Sequence, residues 1–292
     1  MNRYALGLLG YPVSHSLSPK LHQAALMAAG LEGAYWLYPV PPGEGGGELL
    51  ELKELLGKVR AGEVQGLNVT IPHKQTVIPY LDELTPTARA IGAVNTIYLR
   101  EDKLIGDNTD APGFLADLRG FLEGRPLTAD RGVPFPVSGI RSALVLGAGG
   151  SARAVVYALL QDGWNISLYA RRPEQAEALT THFSPFIKTS QSFTIQNSLF
   201  TIDHSLIVNT TPLGMTPHLD TSPWPADLPF LEHAAVYDLV YNPRETKLVR
   251  DARAAGLPAT TGLGMLIEQA ALGFKIWTGR EADREGMREA VK

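Results

Sequence analysis

Apolar residues recur along this chain in two patterns: short runs closed by Gly, Pro or charged residues, and longer stretches with a helical repeat. Tyr4 to Gly10 predicts a first strand. The polar loop Tyr11 to Pro19 follows, with Ser18 as an N-cap and Pro19 at the first helical position. A helix is expected to about Ala29, stopping at Gly30. Ala34 to Val40 predicts a second strand, Pro41 to Gly47 a turn, and Glu48 to Arg60 an amphipathic helix. Val64, Leu67, Val69 and Ile71 mark another strand, which should end at Pro72 because proline cannot donate to a sheet ladder. A short helix over Thr85 to Ala90, strands at Val94 to Arg100 and Lys103 to Asp107 joined by a turn at Glu101-Asp102, and a helix over Asp110 to Leu122 complete the first half.

Gly124 to Gly139 is rich in Pro, Gly and charge without a period, and reads as a surface excursion between domains. Beyond it the apolar strand Ser142 to Leu146 runs into Gly147-Ala148-Gly149-Gly150-Ser151, then a helix over Arg153 to Gln161 and a strand over Ile166 to Ala170. This order is a βαβ unit. Leu206 to Asn209 and Ala234 to Leu239 predict buried strands; Lys247 to Ala255, Leu263 to Trp277 and Glu281 to Val291 predict helices. Thr180 to Ser205 is polar and its elements cannot be placed from the pattern. The fold class is therefore α/β, and 292 residues favour two domains over one.

Composition narrows the function classes. Hydrophobic content of 45% and charged content of 19% are those of a soluble globular protein, and a net charge of −4 without a basic block argues against nucleic acid or an anionic membrane as partner. Without cysteine, thiolate nucleophiles and Cys-based metal sites are excluded. The seven histidines lack ligand spacing, so no metal is expected, and no signal peptide or membrane span is read, which makes a cytoplasmic protein the default. No Gly-x-Ser-x-Gly elbow or P-loop is present.

Two stretches carry candidate chemistry. In Asn68-Val69-Thr70-Ile71-Pro72-His73-Lys74, Asn68 and Thr70 are two apart and share one strand face, and Lys74 lies just past the strand end. An amide, a hydroxyl and an ammonium then converge on a polyol or hydroxy-acid, with Lys74 moving a proton; the alternative is a solvated loop lysine. Asp110 either caps the helix that follows it or pairs with Lys74. Ser16, Ser18, Asn95, Tyr241 and Gln269 add hydroxyls, a phenol and amides, each with a reading as cap, turn or surface residue. In the second stretch, Gly147-x-Gly149-x-x-Ala152 opens a helix after a strand, so a pyrophosphate can approach the Gly149 backbone and the free N–H groups of the helix start. Arg171 and Arg172 stand at the end of the next strand, where an NAD-binding fold carries an acidic residue. They match a 2′-phosphate, and one charged hydrogen bond of about 1.5–3 kcal/mol would favour NADP over NAD ten- to a hundred-fold.

In chain order, His15-Ser16-Leu17-Ser18-Pro19, Asn68 to Lys74, Gly92-Ala93-Val94-Asn95-Thr96, Asn108-Thr109-Asp110, Gly147 to Ser151, Asn209-Thr210-Thr211-Pro212-Leu213-Gly214-Met215, and Gly262-Leu263-Gly264-Met265-Leu266 with Gln269 resemble the shikimate dehydrogenase family over nearly the whole chain. The resemblance implies two α/β lobes: a substrate-binding lobe, residues 1–112 completed by 262–292, and a Rossmann NADP-binding domain, residues 113–261, with the active site in the cleft between them. It implies NADPH-dependent reduction of 3-dehydroshikimate to shikimate, in which Lys74 exchanges a proton with the C3 oxygen and Asp110 orients it. Ser16, Ser18, Thr70, Asn95, Asp110, Tyr241 and Gln269 would hold shikimate, with Asn68 lining the site. Gly147, Ala148, Gly149, Gly150 and Ser151 would hold the pyrophosphate and Arg171 and Arg172 the 2′-phosphate, while Leu239 and Gly262 would lie near the nicotinamide and Thr210 among the coenzyme contacts. A monomer or homodimer is expected. Ala170, Arg172 and Gln175 depart from the Asn-Arg-Thr pattern the family often shows there. The alternatives are a quinate/shikimate dehydrogenase with NAD or broader substrate use, a non-catalytic dinucleotide-sensing regulator and a structural scaffold.

Overall fold

The computed structural model describes residues 3–43, 47–123, 141–196 and 204–292. The chain runs β1 (Tyr4–Gly10), α1 (Ser18–Ala28), β2 (Gly33–Pro39), α2 (Gly47–Arg60), β3 (Gly66–Val69), α3 (His73–Thr76), β4 (Glu83–Leu84), α4 (Pro86–Ile91), β5 (Thr96–Arg100), β6 (Lys103–Asp107) and α5 (Asp110–Glu123). It continues with β7 (Ser142–Leu146), α6 (Gly150–Gln161), β8 (Asn165–Tyr169), α7 (Pro173–Phe183), β9 (Phe193–Ile195), β10 (Leu206–Asn209), β11 (Ala235–Asp238), α8 (Lys247–Ala254), β12 (Ala259–Thr261), α9 (Leu263–Thr278) and α10 (Arg284–Glu289). Two compact units result, Met1–Gly113 with Ile267–Lys292, and Phe114–Leu266.

The first unit is built on a mixed sheet of order β2-β1-β3-β5-β6-β4. β1 runs parallel to β2 and β3, whereas β5 is antiparallel to both β3 and β6. Leu9, Val40, Leu52, Val64, Leu67, Val69 and Ile97 form the core on one side. α9 presses on the sheet through Trp277, whose Nε1 donates to the Ile97 carbonyl at 3.2 Å. The indole lies so close to β3 that a Cβ on Gly66 would stand 2.4 Å from its ring atoms. The glycine that opens β3 is thus explained by a neighbouring ring rather than by a turn.

Three expectations change here. The strand expected over Val64 to Ile71 narrows to β3, because the Thr70 carbonyl accepts from the His73 N–H at 2.9 Å and turns the chain. Ser18 does not cap α1; it is the first helical residue, and the Ser16 hydroxyl oxygen accepts its N–H at 3.2 Å. The last helix shortens to α10, where Asp283 accepts the Gly286 N–H at 3.1 Å.

The second unit holds a parallel sheet of order β12-β11-β10-β7-β8-β9. Counted from its first strand this is the 3-2-1-4-5-6 order of a Rossmann domain, with the reversal between β7 and β10. Leu144, Leu146, Ile207, Val236, Leu248 and Val249 fill the core on the face that carries α8. β9 and β12, unread in the sequence, are three-residue strands at the two edges of this sheet. The excursion over Gly124 to Gly139 lies outside the described residues, as do parts of the Pro41 to Gly47 turn and of the stretch Thr180 to Ser205. Among the described residues no helix is long and apolar enough to cross a membrane.

The Gly66–Trp277 contact makes a direct prediction. Gly66→Ala should destabilise the first unit by about 1–3 kcal/mol, since the added methyl must displace an indole tethered to β5. Urea denaturation followed by tryptophan fluorescence would register this as a lower midpoint, and an unchanged midpoint would show that the ring is free to move.

Candidate active site

The turn after β3 places Lys74 in α3, where the backbone is held from two sides. The Lys74 carbonyl accepts from the Val94 N–H at 2.7 Å, and the fully buried ring of His73 bonds the Val40 carbonyl at 2.7 Å. So anchored, the Lys74 ammonium is nearly buried and donates to Asp110 Oδ2 at 2.6 Å. Burial of such a charge is tolerable only with a partner, and loss of either member leaves an uncompensated charge costing about 3–5 kcal/mol.

Asp110 is free for this role because it does not cap α5. Asn108 does so instead: its Oδ1 accepts the N–H groups of Asp110 and Ala111 at 3.1 and 3.3 Å. The second oxygen of Asp110 accepts from Asn95 Nδ2 at 2.8 Å. The Asn95 amide is itself oriented from behind, its Oδ1 accepting the Thr109 N–H at 2.7 Å and the Thr96 hydroxyl at 2.9 Å. Its nitrogen also faces Thr109 Oγ1 at 3.0 Å and Gln269 Oε1 at 3.3 Å. Gln269 reaches this point because α9 crosses α5 closely; a Cβ on Gly113 would stand 2.8 Å from the Gln269 nitrogen. Asn68, buried on β3, donates through Nδ2 to the Asn95 carbonyl at 3.2 Å.

One hydrogen-bonded network therefore contains Asn68, Lys74, Asn95, Asp110 and Gln269. Thr70 stands half-buried beyond β3 with its methyl against Gly10, where any Cβ would approach to 2.3 Å. Ser18 is buried and Ser16 half-buried in the loop that enters α1. Among the described residues no side-chain hydrogen bond joins these three to the network. Tyr241 belongs to the second unit, three residues past the end of β11.

In that unit the glycine turn sits at the end of β7, at the reversal of strand order. Gly147 has φ of +105°, and a Cβ there would meet Thr210 Oγ1 at 2.7 Å and Thr211 Cγ2 at 2.9 Å, so both conformation and space demand glycine. Thr210 is fixed in turn by its hydroxyl and N–H, both donated to the Leu146 carbonyl. Gly149 is the N-cap residue of α6, and nothing lies within 4 Å of the position a Cβ would take. Exposed Gly149 and the N–H groups of Gly150, Ser151 and Ala152 offer the open, positively polarised surface a phosphate needs. Arg171 and Arg172 are exposed between β8 and α7. The residues present fit a dinucleotide carrying a 2′-phosphate. Gly262 packs against β11's continuation, a Cβ there falling 2.3 Å from the Leu239 carbonyl oxygen.

Comparison with known proteins decides the family. Residues 8–97 match the model of the shikimate dehydrogenase substrate binding domain, and residues 262–292 that of the shikimate 5′-dehydrogenase C-terminal domain. The shikimate dehydrogenase (NADP(+)) of Salinibacter ruber is 42% identical over 291 residues, spanning 98% of this chain and 95% of that relative. The chain belongs to the shikimate dehydrogenase family. A crystal structure of shikimate 5-dehydrogenase from Thermus thermophilus, in complex with NADP(H) and shikimate, superposes with a TM-score of 0.82 at 40% identity over 98% of each chain. A quinate dehydrogenase from Corynebacterium glutamicum in complex with NAD also reaches 0.82, at 30% identity over 99% of each chain. Within the family's substrate binding domain model lie Ser16, Ser18, Asn68, Thr70, Lys74 and Asn95; Gln269 lies in the C-terminal model, and Asp110 outside both.

In this member of the family, a buried carboxylate that sequence reasoning passed over holds the second unit's strand ends together. Asp238, the last residue of β11, accepts from Asn209 Nδ2 at 2.8 Å, the Val240 N–H at 3.0 Å and the Thr246 hydroxyl at 2.6 Å. Thr246 also caps α8, accepting the Val249 N–H at 3.2 Å. Its only signal in the sequence was its place directly before Leu239. Burial pushes the Asp238 carboxyl from 3.8 up to about 6, and the bonds from Thr246, Val240 and Asn209 oppose this without cancelling it. A carboxyl that titrates higher folded than unfolded stabilises the fold fully below pH about 4, and that contribution disappears as pH rises through about 6. Asp238→Asn removes the titration. Its destabilisation relative to the parent, measured by urea unfolding, should be larger near pH 4.5 than near pH 7.5 by on the order of 2 kcal/mol. A pH-independent difference would contradict the assignment.

Proposed function

We propose that this chain catalyses the reversible NADPH-dependent reduction of 3-dehydroshikimate to shikimate, with Lys74 as proton donor and acceptor and Asp110 as its partner. The observation that carries the roles is the buried 2.6 Å pair of Lys74 and Asp110, whose carboxylate is held on its other oxygen by Asn95. A reduced ketone needs a proton at the oxygen that gains charge, and a buried ammonium directed by a fixed carboxylate is suited to supply it. In the reverse direction Lys74 takes the hydroxyl proton. NADPH, when bound, supplies the hydride that completes the reduction.

The other residues bind and orient. Asn68, Thr70, Ser16, Ser18, Tyr241 and Gln269 offer donors and acceptors to the ring hydroxyls and the carboxylate of the substrate. Asn95 has two amide hydrogens facing three acceptors, so a substrate oxygen would replace its longest contact, that to Gln269, without disturbing Asp110. Gly147 to Ser151 and Thr210 would hold the pyrophosphate, Arg171 and Arg172 the 2′-phosphate, and Leu239 and Gly262 would border the nicotinamide. The two arginines favour NADP over NAD, the coenzyme bound in the quinate dehydrogenase structure.

Three measurements test this reading. Absorbance at the NADPH band should rise with shikimate and NADP and much less with NAD or quinate; no turnover in any of the four pairings would exclude the enzyme. Lys74→Ala should lose about 10²–10⁴-fold in kcat with little change in substrate KM, and near-normal turnover would remove Lys74 from the chemistry. Replacing Arg171 and Arg172 together by Ala should lower the preference for NADP over NAD about ten- to a hundred-fold, as read from the two kcat/KM values.

A further inference from the structure

The polar network around Lys74 and Asp110 extends one step past the residues assigned to substrate. The Asn95 carbonyl can only accept, so the end of the Asn68 amide facing it at 3.2 Å is the nitrogen. The amide oxygen therefore faces Tyr35, and the Tyr35 hydroxyl must donate to it, at 2.8 Å. Tyr35 stands on β2, so its side chain reaches past β1 to meet β3. Its ring is nearly buried and stacks on His22, centroids 4.4 Å apart and planes 2° from parallel; His22 lies in turn 5.3 Å from the Trp277 ring. Burial holds the His22 imidazole down at about 3, outweighing the Asn68 amide that raises it, so the ring is neutral and the stack carries no charge. Ring position and hydroxyl direction at Tyr35 are both constrained.

We infer that Tyr35 is a positioning residue of the substrate site: clamped by His22, its hydroxyl locks the Asn68 amide in one orientation, so that Asn68 presents its remaining N–H to the substrate. This rests on the reading in which Asn68 contacts shikimate. Removing the hydroxyl leaves the ring and its stack in place but deprives a buried amide oxygen of its donor. The longer contact to the Asn95 carbonyl then holds the amide without the Tyr35 bond, so the amide turns more readily and the substrate meets a less uniform partner than the fixed N–H.

The experiment is a double-mutant cycle on steady-state KM for shikimate, with Tyr35→Phe, Asn68→Ala and the double variant. Tyr35→Phe alone should raise this KM about five- to thirty-fold, with kcat and the KM for NADP within about threefold of the parent. In the Asn68→Ala background, Tyr35→Phe should add little, because its effect passes through Asn68. The same fold-increase in both backgrounds would mean that Tyr35 supports the unit by packing alone, and would overturn the inference. So would an unchanged KM in Tyr35→Phe while Asn68→Ala raises it. An unchanged KM in Asn68→Ala would instead remove Asn68 from the substrate site and take the inference with it. Because KM does not depend on the amount of active enzyme, a variant that folds in lower yield still answers the question.

Discussion

A lysine and an aspartate buried against each other at 2.6 Å constrain everything around them. Neither charge is tolerable there alone, so the fold must deliver both side chains at once, from α3 and from the start of α5. The surrounding details follow. Asn108, rather than Asp110, must satisfy the start of α5, or the carboxylate would be occupied. Asn95 must be oriented by Thr96 and Thr109 so that its nitrogen, not its oxygen, meets Asp110. The pair is thus the visible end of a set of hydrogen bonds that fixes the Asn95 amide and the Asp110 carboxylate, and that rigidity suits a site that must hold a proton until a substrate oxygen takes it.

The second unit meets a different constraint with similar means. A phosphate has to reach the backbone, so the turn after β7 gives up side chains: Gly147 has no room for one, and Gly149 leaves its space open. The strand ends that flank this turn are then fixed by Thr210 on the Leu146 carbonyl and by Asp238 across β10, β11 and α8. In both units a buried carboxylate gathers donors from several elements. Among the described residues Asp110 has a cationic partner and Asp238 neutral ones, and burial pushes the Asp238 carboxyl up.

The long apolar strands, the main helices and the glycine turn were legible in the sequence because their requirements are local: a buried run, a helical repeat, a backbone without side chains. The candidate pair was legible in position but ambiguous in role, since Asp110 two residues after Asn108 looks as good a cap as Asn108 itself. Ser16 and Ser18 raised the same ambiguity, and the structure puts the helix start at the residue expected to cap it. The strands β4, β9 and β12 escaped notice because two or three residues at a sheet edge carry too little pattern. Tyr35 and Asp238 were passed over for another reason. An aromatic in a strand and an acid at a strand end resemble ordinary core and turn residues until their partners, distant in sequence, are known.

Whether Lys74 exchanges the proton on the reacting oxygen is tested at the atoms concerned by a crystal structure of this protein with shikimate bound. The C3 hydroxyl should lie within hydrogen-bond reach of Lys74 Nζ, at about 2.7–3.2 Å, with Asp110 still on the ammonium. A shikimate held with that hydroxyl out of reach of Lys74, on another donor or in bulk water, would contradict it.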